Sequence, residues 1–137
     1  MTNKSILWDE EERKIMGLVN CSKVYVDKSQ YGYGVFAKVD LKKGEIIETG
    51  LMIRVVNTDG NENPHLFTWS DDRQTWAMGS GCLPFYNHTN NKPNIKKCGD
   101  LVNDTMVVIA LCDIKANEEL VSTYYSASWR KCFSDLI

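Results

Sequence analysis

The sequence has no long apolar run. No stretch of its 137 residues approaches the ~18 consecutive apolar residues of a membrane-spanning helix, so we expect no membrane partner. The first residues include Asp9 followed by three glutamates, which a secretory signal does not tolerate. The sequence therefore predicts an intracellular protein.

Paired cysteines are also missing. The five cysteines, at positions 21, 82, 98, 112 and 132, form no CxxC or CxC motif, and we expect reduced, mostly buried thiols. Closed zinc sites draw ligands from such local pairs, so we expect no metal. The remaining candidates for ligands are His65 or His88 together with Cys82 or Cys98.

An excess of positive charge is absent as well. The formal net charge is −2, which argues against direct binding of nucleic acid, because such proteins usually carry a basic patch. A weakly acidic surface is compatible with a basic peptide as partner.

The residues that are present predict one mainly β domain. Residues 5–19 predict a short helix that Ser5 or Asp9 caps and Gly17 ends. After residue 22 the pattern alternates in β fashion, with turn residues about every ten positions. We expect strands at 23–27, 35–37, 45–49, 51–56, 66–69, 75–78 and 105–111, with Gly50 separating the third from the fourth and a turn at 99–100.

Residues 85–94 (FYNHTNNKPN) are dense in amides and aromatic rings. Asn87 and His88 offer hydrogen-bond donors and acceptors, and Pro93 stiffens the segment. The ordinary interpretation is a surface turn, since Asn and Pro are common turn residues. The functional interpretation is a binding loop.

Residues 32–34 form a lone GxG without the third glycine of a dinucleotide fingerprint. This segment is either a bend in a strand or a place where the backbone approaches a ligand. Glu118 and Glu119 are interpreted as solvated turn charges. Tyrosines at 31, 33, 86, 124 and 125 are either core residues or walls of a cage for an ammonium group.

Three segments resemble, in the correct order, the motifs of SET-domain protein-lysine methyltransferases in their minimal viral and bacterial form. They are residues 31–37 (YGYGVFA), 85–94 and 117–124 (NEELVSTY). The resemblance implies a SET fold of several small β-sheets with a knot-like C-terminal arrangement. It assigns residues 22–137 to the SET domain and leaves 1–21 as an N-terminal helix or arm.

The resemblance also implies a chemistry. S-adenosylmethionine is the expected cofactor, and the expected substrate is a lysine of a protein, with a histone tail as candidate and therefore a role in chromatin in the nucleus or host nucleus. Tyr124 is the implied catalytic residue. The implied cofactor contacts are Gly32, Tyr33, Gly34, Asn87, His88 and Trp129, with Phe133 as the alternative cover for the adenine ring, and the implied lysine channel is lined by Tyr33, His65, Tyr86 and Tyr124.

Several positions depart from the family pattern. Three residues rather than two separate Thr89 from Pro93, and His65 and Ser128 stand where relatives have tyrosines. No cysteine-rich flank is present, so the channel would be closed by the last twelve residues or by a partner subunit in a homodimer. A SET-like module that binds peptide or cofactor with weak catalysis, and a purely structural β protein, are the alternatives.

Overall fold

Short strands joined by turns account for most of the chain in the computed structural model, which describes residues 10–30 and 32–124. The mainly β class predicted from the alternating pattern is confirmed. Two single 3-10 turns, Gly60–Glu62 and Leu83–Phe85, interrupt the strands. The regular elements are helix α1 (Glu10–Met16) and strands β1 (Val24–Ser29), β2 (Gly32–Ala37), β3 (Ile46–Val55), β4 (Leu66–Thr68), β5 (Trp76–Gly79), β6 (Asn87–His88), β7 (Ile95–Asp100), β8 (Thr105–Ala110) and β9 (Glu119–Ser122).

The strands form two sheets. One has five strands in the order β4-β5-β3-β8-β7, and the other has four in the order β1-β2-β9-β6. All pairings are antiparallel except that of β6 with β9, which is parallel. Antiparallel neighbours need only short turns, which agrees with the frequent turn residues in the sequence.

The core lies where the apolar faces of these strands meet. Strand β8 is buried along most of its length, including three consecutive residues from Met106 to Val108. Such a continuous apolar strand is covered on both faces. Val35 of β2 and Leu120 of β9 are fully buried in the same cluster, so both sheets share one core.

Two predicted interruptions were wrong, namely the separation of two strands at Gly50 and the turn at residues 99–100. Residues 46–55 form a single strand that runs through Gly50. The glycine has a packing role, because a Cβ at this position would overlap the Leu83 side chain and lie 2.8 Å from Ser80 Oγ. Strand β7 continues through Gly99 to Asp100. The chain turns only after Asp100, whose Oδ1 accepts hydrogen bonds from the backbone N–H groups of Val102 and Asn103 at 3.0 and 3.1 Å.

Helix α1 lies inside the predicted span 5–19, and Gly17 follows it with φ of 75°, as expected for a helix stop. The proposed caps Ser5 and Asp9 lie outside the described residues. Thr49 of β3 donates through Oγ1 to the Gly17 carbonyl at 2.9 Å, which attaches this end of the segment to the β domain. Among the described residues, no helix is long and apolar enough to cross a membrane.

The pairing of β6 with β9 brings distant parts of the chain together. Asn87 lies opposite Val121, and His88 lies opposite Ser122. Asn94 extends this contact, because its Oδ1 accepts from the Val121 N–H at 2.8 Å and its Nδ2 donates to the Glu119 carbonyl at 2.9 Å. The Asn94 amide thereby takes the place of a further strand residue beside β9.

Replacement of Asn94 by alanine is expected to destabilise the protein by about 1–3 kcal/mol, because it leaves a partly buried donor and acceptor of β9 unpaired. The measurement is the free energy of unfolding from urea titration. Asn91→Ala, at an exposed position of the same loop, is the matched control and should change this energy by less than about 0.5 kcal/mol. Equal effects of the two substitutions would contradict this role of Asn94.

Candidate active site

Asn87 connects three strands at the start of the β6–β9 contact. Its Nδ2 lies 2.8 Å from Glu119 Oε2 of β9, 3.0 Å from the Tyr33 carbonyl of β2 and 3.2 Å from Ser29 Oγ of β1. Glu119 is half-buried here, so its interpretation as a solvated turn charge was wrong. Asn87 Oδ1 receives no hydrogen bond from the described part of the chain.

Gly34 makes room for this connection. A Cβ on Gly34 would lie 2.9 Å from Asn87 Nδ2 and 3.0 Å from Ser29 Cβ, and it would overlap the Glu119 carboxylate. Gly32 has φ of 106°, a conformation that L side chains rarely adopt. The lone GxG is therefore part of strand β2. Gly34 is required there by close packing, and Gly32 by its backbone conformation.

His88 holds the segment that follows β9. Its Nδ1 accepts a hydrogen bond from the Tyr124 backbone N–H at 2.9 Å, so this nitrogen carries no proton. The other nitrogen, Nε2, then donates to Asn90 Oδ1 at 2.6 Å. The three-residue spacer before Pro93 thereby supplies the group that fixes the tautomer of His88.

A chain of hydrogen bonds leads from Tyr124 into the core. The Tyr124 hydroxyl donates to the Tyr86 carbonyl, and the Tyr86 hydroxyl donates to Glu48 Oε1 at 2.7 Å. Glu48 Oε2 accepts the Cys82 N–H at 2.9 Å. The Tyr124 proton is thus used by a backbone carbonyl.

Glu48 is a fully buried carboxyl. Burial raises its pKa to about 7, although the hydrogen bonds from Tyr86 and Cys82 act in the opposite direction. Burial is also the first cause that raises the pKa of the Tyr86 hydroxyl well above its usual range.

One group of metal-ligating side chains converges within the described residues, and it is not the set considered from the sequence. Ligand atoms of Cys21, Glu48 and Cys82 lie within 4.8 Å of one another. Burial, followed by the proximity of Glu48 and Cys21, raises the pKa of the Cys82 thiol to about 12. Cys82 is therefore a protonated, unreactive thiol at neutral pH.

A cavity of about 450 Å³ lies beside Tyr86 and Tyr124. Its wall is mostly apolar and aromatic. Ser122 and Thr68 are among its lining residues, and their hydroxyls are buried without a hydrogen-bond partner in the described part of the protein, which is a rare state. Further lining residues are Leu66, Phe67, Trp69, Leu83, Ile95, Met106 and Leu111.

The structure brings together some of the predicted site residues and separates others. Asn87, His88, Tyr86 and Tyr124 lie together as described. Tyr33 is 60% exposed and does not line the cavity. Neither does His65, which is exposed and has its Nδ1 3.1 Å from the Pro84 carbonyl. The predicted cofactor residues Trp129 and Phe133 lie outside the described residues, as does Ser128.

Sequence reasoning missed two residues at the cavity. Phe67 lies in β4, and the Nζ of Lys97 in β7 is 5.0 Å from the centroid of its ring. The same Nζ is 4.6 Å from the centroid of the Tyr124 ring. The alternation of apolar residues in the sequence does not predict the contact of Lys97 with Phe67, because this contact depends on how β4 and β7 are placed in the sheet.

A family comparison agrees with this geometry. The model of the SET domain matches residues 32–125, a range that begins in β2 and includes Asn87, His88 and Tyr124. The chain belongs to the SET-domain family. The resemblance given by the three sequence motifs and the expected SET fold are thereby confirmed.

Similar proteins include lysine methyltransferases. A histone-lysine N-methyltransferase of Schizosaccharomyces pombe, specific for lysine 37 of histone H3, is 27% identical over 110 residues, which cover 75% of this chain and 73% of that protein. The crystal structure of a candidate histone methyltransferase from Plasmodium falciparum is similar with a TM-score of 0.58 and 28% identity, and covers 75% of this chain and 97% of the other.

A third similar structure is that of Polycomb Repressive Complex 2 from Chaetomium thermophilum, in an autoinhibited conformation bound to S-adenosylmethionine. The TM-score is 0.61 with 25% identity, and the match covers 76% of this SET-domain chain but 15% of that much longer chain.

Glu48→Gln is expected to flatten the dependence of stability on pH. The folded protein keeps the Glu48 proton up to a pKa of about 7, whereas the unfolded chain loses it near the ordinary value of about 4.3. Unfolding therefore releases a proton between these values, and the free energy of unfolding falls as pH rises through this window, by roughly 4 kcal/mol in total.

The measurement is urea unfolding of both proteins at intervals between about pH 5 and pH 8, the range that brackets the raised pKa. The energy of the wild type should decline toward neutral pH more steeply than that of the variant. Parallel curves would show that the buried carboxyl has an ordinary pKa.

Proposed function

We propose that the chain transfers a methyl group from S-adenosylmethionine to a lysine in a histone tail. Membership of the SET family and the histone-lysine methyltransferase among its relatives make it a protein-lysine N-methyltransferase. An amine substrate is supported chiefly by the cavity beside Tyr124. The aromatic rings of this cavity already accommodate one ammonium group, that of Lys97. A histone substrate would place the protein in the nucleus, the host's if the chain is viral.

The residues around β6 fit the cofactor. Asn87 Oδ1 is available to accept from the amino group of S-adenosylmethionine, while Asn87 Nδ2 holds the backbone of Tyr33 in place. His88 fixes the backbone of Tyr124 at the same edge. Gly32 and Gly34 place no side chain on either side of Tyr33 in the neighbouring strand β2. The bound cofactor would supply an electrophilic methyl group carried on a sulfonium.

The cavity would prepare the substrate amine. A lysine ammonium with an ordinary pKa of about 10.4 is not a nucleophile until it loses its proton. An apolar wall disfavours the charged form and lowers the pKa of an amine that enters it. The oxygen of Tyr124 would accept one of the two N–H groups of the neutral amine, so that the nitrogen lone pair is directed at the methyl group.

Tyr124→Phe is expected to lower kcat for methylation of a histone H3 peptide by about 10²-fold, because it removes the oxygen that orients the amine. Transfer of labelled methyl groups from the cofactor is the measurement. Tyr25→Phe is the matched control, since the Tyr25 hydroxyl bonds Asn117 away from the cavity, and it should retain wild-type activity.

Equal activity of the two tyrosine variants would contradict the role of Tyr124. A wild-type protein that binds peptide and cofactor but transfers no label to any histone or cell protein would be the binding module considered as the alternative.

Asn87→Ala is expected to weaken binding of S-adenosylmethionine at least about tenfold, because it removes one polar contact to the ligand and loosens β2. Isothermal titration calorimetry measures this affinity. Asn91→Ala serves as the control, and a thermal melt of each variant confirms that it is folded. Unchanged affinity in a folded Asn87→Ala protein would place the cofactor elsewhere.

A further inference from the structure

Lys97 holds its ammonium group inside the candidate active site. Its Nζ lies 4.6 Å from the ring centroid of Tyr124, 5.0 Å from that of Phe67 and 6.0 Å from that of Tyr86. Cations are attracted to aromatic faces within about 6 Å of the centroid. Three rings from three different parts of the chain therefore surround one lysine of the protein itself.

The position of Lys97 in β7 explains why it enters the cavity. Side chains alternate across a strand, so Lys96 and Lys97 point to opposite faces. Both residues border the cavity, but Lys96 is exposed, whereas Lys97 is half-buried and holds its Nζ over the Tyr124 ring. The strand pairing of β7 with β8 fixes this register, with Lys97 opposite Val108, and so keeps the lysine on the inner face.

The proposed function assigns these same aromatic rings to the lysine of the substrate. The centroid of the Tyr124 ring is 5.1 Å from that of His88, on the side of the proposed cofactor contacts, and 4.6 Å from Lys97 Nζ. A lysine tethered within reach of the reacting groups has a far higher effective concentration than a free peptide, as intramolecular reactions generally show.

We propose that Lys97 is a methylation site of this protein, modified in cis by its own active site; this inference rests on the proposed function. After the ammonium releases one proton to water, the Nζ lone pair attacks the methyl carbon of the cofactor. The N–C bond forms as the C–S bond breaks, and the bonding electrons stay on sulfur. The products are Lys97 as a methylammonium, which carries the positive charge that leaves the sulfonium, and S-adenosylhomocysteine with an uncharged sulfur.

Methylation would not remove Lys97 from the rings. A methylammonium keeps its positive charge, and aromatic faces bind alkylated ammonium groups well. Modified Lys97 therefore remains in the cavity, where it competes with the lysine of an incoming peptide. Lys97→Arg keeps a cation at this position but provides no methyl acceptor of the same kind.

The test is incubation of the purified full chain with labelled S-adenosylmethionine, first without any other substrate and then with a histone H3 peptide. Intact-protein and fragment mass spectrometry locates the added methyl groups. We expect label at residue 97 in the wild type, none there in Lys97→Arg and about 10²-fold less in Tyr124→Phe. The control Lys43→Arg, at an exposed lysine that does not line the cavity, should keep wild-type label at residue 97. The labelled fraction at a given time should not depend on protein concentration.

Three outcomes would overturn the inference. Label in the histone peptide but none at Lys97 refutes self-methylation and leaves the proposed function intact. Label at Lys97 whose rate rises in proportion to protein concentration refutes the reaction in cis. No label in Lys97, the histone peptide or any other protein offered refutes both the proposed function and the inference that rests on it.

Discussion

The candidate active site depends on the parallel contact between β6 and β9. This contact is only two residues long, so backbone hydrogen bonds alone would hold it weakly. Asn87 ties it to β2, Asn94 replaces a missing strand residue beside β9, and His88 binds the backbone of Tyr124. Tyr124 follows β9 directly, so these three side chains decide where its hydroxyl lies. A loss of any one would displace the proposed reacting group and, with it, the part of the cavity wall that Tyr124 forms.

The cavity combines aromatic faces with buried polar atoms, and the two features act on an amine in different ways. The rings attract the charged ammonium, which favours entry, whereas the apolar wall disfavours that charge and assists its deprotonation. Tyr86 contributes to both features, because its ring lines the cavity while its hydroxyl donates a hydrogen bond to the buried carboxyl of Glu48. Because Lys97 lies against these rings, an external lysine bound as proposed would enter a cavity that already holds an internal one.

Sequence patterns predicted the local parts of this structure and missed the contacts between distant parts. The strands could be predicted from the alternation of apolar residues. The grouping of Asn87 and His88 with Tyr124 could be predicted from the resemblance to the SET family, because these residues lie in the motifs themselves. Glu48 gave no signal, since its burial depends on elements far away in the chain. Glu119 was interpreted as a solvated charge because the sequence does not show that Asn87 faces it. The same limit hid Lys97, whose ring contacts come from three separate segments.

The most direct test of the account is a crystal structure of the protein with S-adenosylhomocysteine and a lysine-containing histone peptide. The account predicts that the cofactor product lies along β6 in contact with Asn87 and His88, with its sulfur toward Tyr124. The peptide lysine should enter the cavity beside Tyr86 and displace the Lys97 ammonium from the Tyr124 ring. A product bound away from β6, or a peptide lysine bound outside the cavity, would contradict the central claim.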